Sequence, residues 1–197
     1  MAKTLIADHN SRIFTFTHLA PAFEFIIPIW IVYYQSKITI EQISVVVAIQ
    51  FAAQVISELP TGAFADIFGK RISISVGLLI GAISIYLLPF ANTFSHFLIL
   101  AGSVGISTSL LSGANEAMLY DSLKQDGRES EFSKAMAYHG TLFQVGLMVA
   151  TITGGFLYAV AQWLPFALYG TSMLFGAVLA LWMHEPIVDS EKFSVRN

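Results

Sequence analysis

The stretch ELPTGAFADIFGKR, residues 58–71, closes an almost uncharged run reaching back to residue 43 and then places Asp66, Gly69, Lys70 and Arg71 within six positions. The chain around it is apolar: of 197 residues, 55% are hydrophobic and 12% charged, and the mean hydropathy is +0.68. That leaves too little polar surface for a domain of this size in water, and a bilayer is the solvent the composition fits.

Working outward from this stretch, runs of the length a helix needs to cross about 30 Å of hydrocarbon, roughly 17 to 25 residues, occupy residues 13–34, 43–65, 72–91, 94–120, 135–161 and 164–183. Such runs are too long for strands, and a closed barrel would show shorter alternating segments. The sequence therefore predicts an all-α membrane protein with six transmembrane helices over residues 1–184 and a tail at 185–197. The first run carries Glu24 and has no small-residue cleavage site after it, so it reads as a retained helix and not a signal peptide.

Charge in the connecting segments sets the expected orientation. Lys3, Arg12, Lys70, Arg71, Lys124, Arg128, Lys134, Lys192 and Arg196 fall on one side, and Lys37 alone on the other. Lys and Arg in short loops stay cytoplasmic, so both termini are expected there, and residues 66–71 lie at the cytoplasmic end of the second helix. With a net charge of −3 there is no basic surface for nucleic acid.

Within the opening stretch, Gly62 and its small neighbours let another helix approach closely where lipid gives helices no hydrophobic drive to associate. Gly69 allows the chain to reverse, and Asp66 either accepts hydrogen bonds from the start of the next helix or pairs with Arg71. For an isolated Lys-Arg pair, a solvated loop that only fixes topology is the alternative.

The order and spacing of Gly62, Asp66, Gly69, Lys70 and Arg71 resemble the signature between helices 2 and 3 of the major facilitator superfamily (MFS) of transporters, with Ile67 standing where that family often has a basic residue. A second stretch, SGANEAMLYDSLK at 112–124, resembles the end of helix 4 in prokaryotic drug-efflux-like members. The resemblance implies that Asp121 pairs with Arg71 and that these residues gate the cytoplasmic side; a plain helix-end charge is the other reading of Asp121.

It also implies the N-terminal bundle of a fold with two six-helix halves, each built of 3+3 helix repeats, that alternates access to a midplane site. On that reading the chain is a truncated or split secondary active transporter of small molecules in the plasma or inner membrane, and the tail begins the central loop. Its partners would be the lipid bilayer, a small-molecule substrate and a second six-helix half, either a C-terminal half or another copy of this chain. A non-transporting membrane interaction protein is the alternative from a different class.

Ionisable groups inside a span are costly, about 2.5 to 3.5 kcal/mol on insertion scales, so each asks for a reason. Glu24 lies twelve residues beyond Arg12, about 18 Å along a helix and near the midplane. Pro21 and Pro28 flank it with Thr17 on the same face, and two prolines loosen the helix there. Glu24 is thus a candidate for proton exchange during alternating access; a protonated side chain that only packs is the other reading.

Gln50, Gln54, Ser57 and Thr61 make a polar stripe on the second helix, and Ser109, Ser112 and Glu116, with Asn115 beside them, make one on the fourth. Such stripes turn inward, to line a watery cavity or to bond across helices. Glu58 and Glu116 lie near the cytoplasmic ends, where a gating or interfacial role competes with a cavity role. Gly146, Ala150 and Gly154 recur every fourth residue, followed by Gly155, as a close-packing face. His139 and Gln144 are weaker cavity candidates, a lone His near a helix end being usually solvated.

The fourth helix has no Arg before its glycine in LAGSVGIS, and the fifth has TITGG without the Gly-Pro that drug/proton antiporters typically show, so proton-coupled efflux of lipophilic compounds is suggested chiefly by Glu24. There is no paired Asn-Pro-Ala of a water channel, no Gly-rich phosphate loop, no His-x-x-x-His spacing and no nucleophile constellation. The reading is of a transporter and not an enzyme, with no cofactor and no metal. The sixteen Phe suit an apolar cavity but also serve as ordinary lipid-facing and packing material.

Overall fold

The computed structural model describes residues 9–186. Lys3, Lys192, Arg196 and the tail from residue 187 lie outside the described residues. Those described hold seven α-helices and no strand: α1 His9–Leu19, α2 Trp30–Gln35, α3 Ile40–Phe68, α4 Lys70–Leu87, α5 Phe94–Gln125, α6 Phe132–Val160 and α7 Leu164–Ala180. Four helical stretches, Ile40–Phe68, Lys70–Phe90, Phe94–Gln125 and Glu129–Val160, are long and apolar enough to cross a bilayer, and α7 is a shorter apolar helix of 17 residues.

The run read as one span over 13–34, with Pro21 and Pro28 expected to loosen it, is two short helices. α1 ends in a 3-10 turn, Ala20–Ala22, and residues 23–29 run through tight turns such as Ile27 N–H to the Glu24 carbonyl at 3.1 Å before α2 begins. Pro21 and Pro28 explain the break, since neither has an N–H for an i−4 carbonyl and Pro28 also disfavours helical angles at Ile27. What replaces the missing helical contacts is α6. A methyl group on Gly154 would overlap the Phe25 carbonyl and come within 2.9 Å of Pro28, and one on Gly146 would lie 3.1 Å from Ala22.

The remaining helices have identifiable ends. Thr39 and Gln42 form a reciprocal capping box at the start of α3, with Thr39 N–H to Gln42 Oε1 at 3.1 Å. Gly69, at φ 97°, stops α3 and turns directly into α4. Pro60 sits inside α3, where its ring removes one backbone donor, and the Ser57 and Thr61 hydroxyls around it donate to the carbonyls of Ala53 and Ser57 at 2.6 and 2.8 Å.

α4 and α5 form the centre, with Ile74, Leu78 and Met118 fully buried, and pack on each other, on α3 and on α7. Small polar side chains join them. Ser73 donates to the Leu110 carbonyl at 3.0 Å, Ser107 to Gly77 at 2.6 Å and Ser75 to Ala177 at 2.8 Å, the interhelical hydrogen bonding expected where water is excluded. α3 and α6 are different. Leu59 at 88%, Ile56 at 76%, Val160 at 79% and Phe156 at 74% exposure present apolar side chains outward, an arrangement that needs lipid or another apolar surface around it.

The bundle has two chemically distinct ends. One gathers the α3–α4 turn, the end of α5 and the segment after α7, joined through Lys70, Asp121 and Glu185. At the other, Lys37 Nζ donates to Asn92 Oδ1 at 3.2 Å and the Tyr33 hydroxyl donates to the Leu88 carbonyl at 3.2 Å.

Candidate functional site

Three open cavities lie between the helices. The first, about 310 Å³, has Glu24 in its wall with Trp30, Tyr34, Gln50 and Tyr169. The second, also about 310 Å³, is lined by His18, Thr108, Ser112, Asn115 and Glu116. Ile85, Val104 and Tyr169 border both. The third, about 340 Å³, lies over Glu58, Gly62, Asp66 and Lys70 and meets the second at Ser112. Together they lead from the segment between α1 and α2 to the charged turn.

The chain break positions Glu24. Its half-buried carboxyl makes no hydrogen bond or ion pair with the described residues, and its backbone carbonyl is held by Ile27. Trp30 and Tyr34, four residues apart on α2, share a face beside it and contact each other edge-on with ring centroids 5.8 Å apart. Gln50 lines the same cavity; Gln54, on the same stripe, lines none of the three and lies at the close α3–α5 crossing beside Gly105.

The stripe on α5 divides between two tasks. Ser109 bonds across to Thr61 at 2.8 Å and is buried, whereas Ser112, Asn115 and Glu116 face the second cavity. Asn115 Oδ1 is buried without a hydrogen-bond partner among the described residues. His139, expected to be solvated, is 1% exposed instead: it is clamped by Phe14 edge-on at 4.8 Å, with His18 at 6.0 Å, and neither ring nitrogen has a hydrogen-bond partner among the described residues. Gln144 is exposed and lines none of the three cavities.

At the charged end, Asp121 pairs with Lys70 and not with Arg71. The Arg71 side chain reaches the Met183 carbonyl at 3.4 Å, and its backbone amide donates to Glu185 at 3.2 Å. Asp66, expected to receive the start of α4 or to pair with Arg71, does neither: it is exposed and makes no hydrogen bond with the described residues, while Glu185 takes the amide of Lys70 at 2.8 Å as well. Gly62 is open, with nothing within 4 Å of where a side chain would begin. On α6, Gly146 and Gly154 contact the broken segment and Ala150 is fully buried, but Gly155 likewise has nothing within 4 Å and takes no part in that packing.

Residues that the sequence reading did not single out complete the lining. Tyr169 on α7 borders the first and second cavities, His18 stacks on Phe14 at 5.5 Å, and Trp30 and Tyr34 line the first cavity with Glu24. The i, i+4 spacing of Trp30 and Tyr34 just beyond Pro28 is the signal that would have found the last two.

The Major Facilitator Superfamily model matches residues 13–196. An uncharacterized MFS-type transporter of Bacillus subtilis (strain 168), YxaM, is 30% identical over 157 residues, 79% of this chain and 38% of that protein. Multidrug resistance protein 1 of the same organism is 28% identical over 137 residues, 69% of this chain and 34% of its own, and the vesicular acetylcholine transporter of Torpedo marmorata is 27% identical over 149, 75% and 29%. The chain spans about a third of the length of these curated relatives. A multi-pass, α-helical membrane protein, it belongs to the major facilitator superfamily.

Proposed function

We propose that this chain is the N-terminal bundle of a secondary active transporter that moves small lipophilic molecules out of the cell in exchange for protons, alternating access with a second six-helix bundle. The observation that carries the reading is Glu24, a carboxyl without a partner among the described residues, held by a proline-broken segment at the wall of a cavity of about 310 Å³. An unpaired carboxyl in a span is costly unless it binds a proton or a ligand, and a site that does both in turn couples the two fluxes. Lys70, Arg71, Asp121, Gly62, Asp66 and Gly69 form the gating end. Gln50, Ser112, Asn115 and Glu116 belong to the substrate path.

The outward apolar faces of α3 and α6 give the second bundle a surface to meet. It is either the C-terminal half of the same transporter or another copy of this chain, in the plasma membrane with both ends of the bundle's chain on the cytoplasmic side.

The test is flux in proteoliposomes, run on this chain and on the longest open reading frame of its locus, with anionic, neutral and cationic lipophilic fluorophores under an imposed pH gradient. Gradient-driven movement of at least one class is expected, with Glu24→Gln abolishing the dependence on the gradient at unchanged membrane abundance. No flux of any class from either protein would sink the reading.

A further inference from the structure

We propose that Tyr169 of α7 is the positioning residue for Glu24: its hydroxyl donates to the carboxylate when Glu24 gives up its proton, with Tyr34 of α2 donating from the other side. This rests on the proton exchange proposed above and names the side chains that hold the ionised form.

The register of α7 against the first span carries the argument. Phe166 meets Tyr33 with ring centroids 4.8 Å apart, Ser172 donates to the Ala20 carbonyl, and a methyl group on Gly176 would come within 2.6 Å of the Ala20 side chain. α7 therefore runs antiparallel to residues 17–33, and its positions 166, 169, 172 and 176, three and four apart, form the face that meets them. Tyr169 lies on that face between the Tyr33 and Ala20 contacts, level with the broken segment that carries Glu24.

The Tyr169 side chain is placed to use that register. It is 8% exposed and makes no hydrogen bond with the described residues, yet it borders the cavity that has Glu24 in its wall, and charge on Glu24 acts on both Tyr169 and Tyr34. Trp30 and Gln50 bring further donors to the same cavity, but both are less buried and neither lies on α7. A phenol buried in a core ordinarily finds an acceptor for its O–H. Glu24 offers one in either protonation state, and the bond to an ionised carboxylate is the stronger. As the Glu24 proton leaves to solvent through the open cavity, both phenols keep theirs, the hydrogen bonds tighten, and α7 is drawn against the broken segment. If Tyr169 only packed, a Phe would serve equally well.

The other titratable groups around the joined first and second cavities are His18 on α1 and Glu116 on α5, with His139 on α6 against His18 and Tyr33 beside Tyr34. α3 and α4 contribute Gln50 and Ser84, which do not titrate, and no Lys, Arg or Asp among the described residues lines either cavity.

The experiment is infrared difference spectroscopy between acidic and alkaline medium on this chain in lipid nanodiscs. The Glu24 carboxylate band is the one that Glu24→Gln removes. Tyr169→Phe keeps the ring and should shift that band in frequency, and Tyr34→Phe, at a half-buried position, should shift it less. Labelling with 3-fluorotyrosine, whose phenol is the stronger donor, should shift the band the opposite way, and by less in Tyr169→Phe than in the unaltered chain. A Glu24 band unmoved by Tyr169→Phe, or a fluorotyrosine shift of equal size with and without Tyr169, would overturn the inference and leave Glu24 as the proton exchanger. If no band disappears in Glu24→Gln, proton exchange at Glu24 and its positioning by Tyr169 fall together.

Discussion

Glu185, just past the end of α7, accepts the backbone amides of Lys70 at 2.8 Å and Arg71 at 3.2 Å, so a carboxylate more than a hundred residues away closes the start of α4. The first amides of a helix have no partner within it, and the positive end of the helix dipole favours an anion there. Glu185 thus fills the capping role that Asp66, closer in sequence, was expected to take. The adjacent Gly69 is required by its φ of 97°, and it leaves the Glu185 carboxylate room to sit 3.0 Å from where a side chain would begin. Glu185→Ala should cost about 1 kcal/mol and raise hydrogen exchange at residues 70–72. Asp66→Ala should leave that exchange unchanged; protection lost with Asp66 and kept without Glu185 would reverse the assignment.

Lys70 and Asp121 join α4 to α5 as a partly exposed ion pair, their side chains 24% and 18% exposed. At that exposure a pair contributes about 0.5 to 1 kcal/mol. A double-mutant cycle on Lys70→Met and Asp121→Asn should therefore give a coupling energy in that range, and the same cycle on Arg71 and Asp121 should give about zero. Charge exchange, Lys70→Asp with Asp121→Lys, should restore most of the loss. Coupling of Asp121 to Arg71 alone would show that the pair forms differently in the membrane.

Those two corrections show where a linear sequence stops being informative. The turn at 58–71 was legible because Gly69 and its charges sit in a local pattern, but adjacent residues on a helix point about 100° apart, so whether Lys70 or Arg71 meets Asp121 depends on the rotation of α4. The weak point in the first span was legible from Pro21 and Pro28. Its length was not, because the break survives only where Gly154 lets α6 lie against the Phe25 carbonyl. His139 looked like a helix-end residue for the same reason: its burial comes from Phe14 and His18 on α1, over a hundred residues earlier. Asn115 and Glu116 were found because their spacing with Ser112 is local to one helix.

The two neighbouring glycines of α6 should respond oppositely to the same substitution. Gly154→Ala forces a methyl group into the Phe25 carbonyl and Pro28, an overpacking that costs about 1 to 3 kcal/mol. Gly155→Ala meets nothing within 4 Å and replaces a helix-interior glycine, a change that stabilises by about 0.5 to 1 kcal/mol. Thermal unfolding in detergent should fall for the first and hold or rise for the second. A loss of stability at 155 as large as at 154 would mean that the broken segment packs elsewhere.

The orientation of the bundle follows from the same two ends. Lys37 is exposed and tied to Asn92 at 3.2 Å, and Asp126 is exposed just past the end of α5, at the end that carries the Lys70–Asp121 pair. The chain has no cysteine, so single replacements can be labelled without background. If the excess of Lys and Arg around the α3–α4 and α5–α6 turns holds that end in the cytoplasm, Lys37→Cys should react with a membrane-impermeant maleimide in intact cells. Asp126→Cys should react only after permeabilisation. The reverse pattern would invert the bundle and move the proposed gate at Lys70 and Asp121 to the outer face, where it would close the opposite mouth of the cavity.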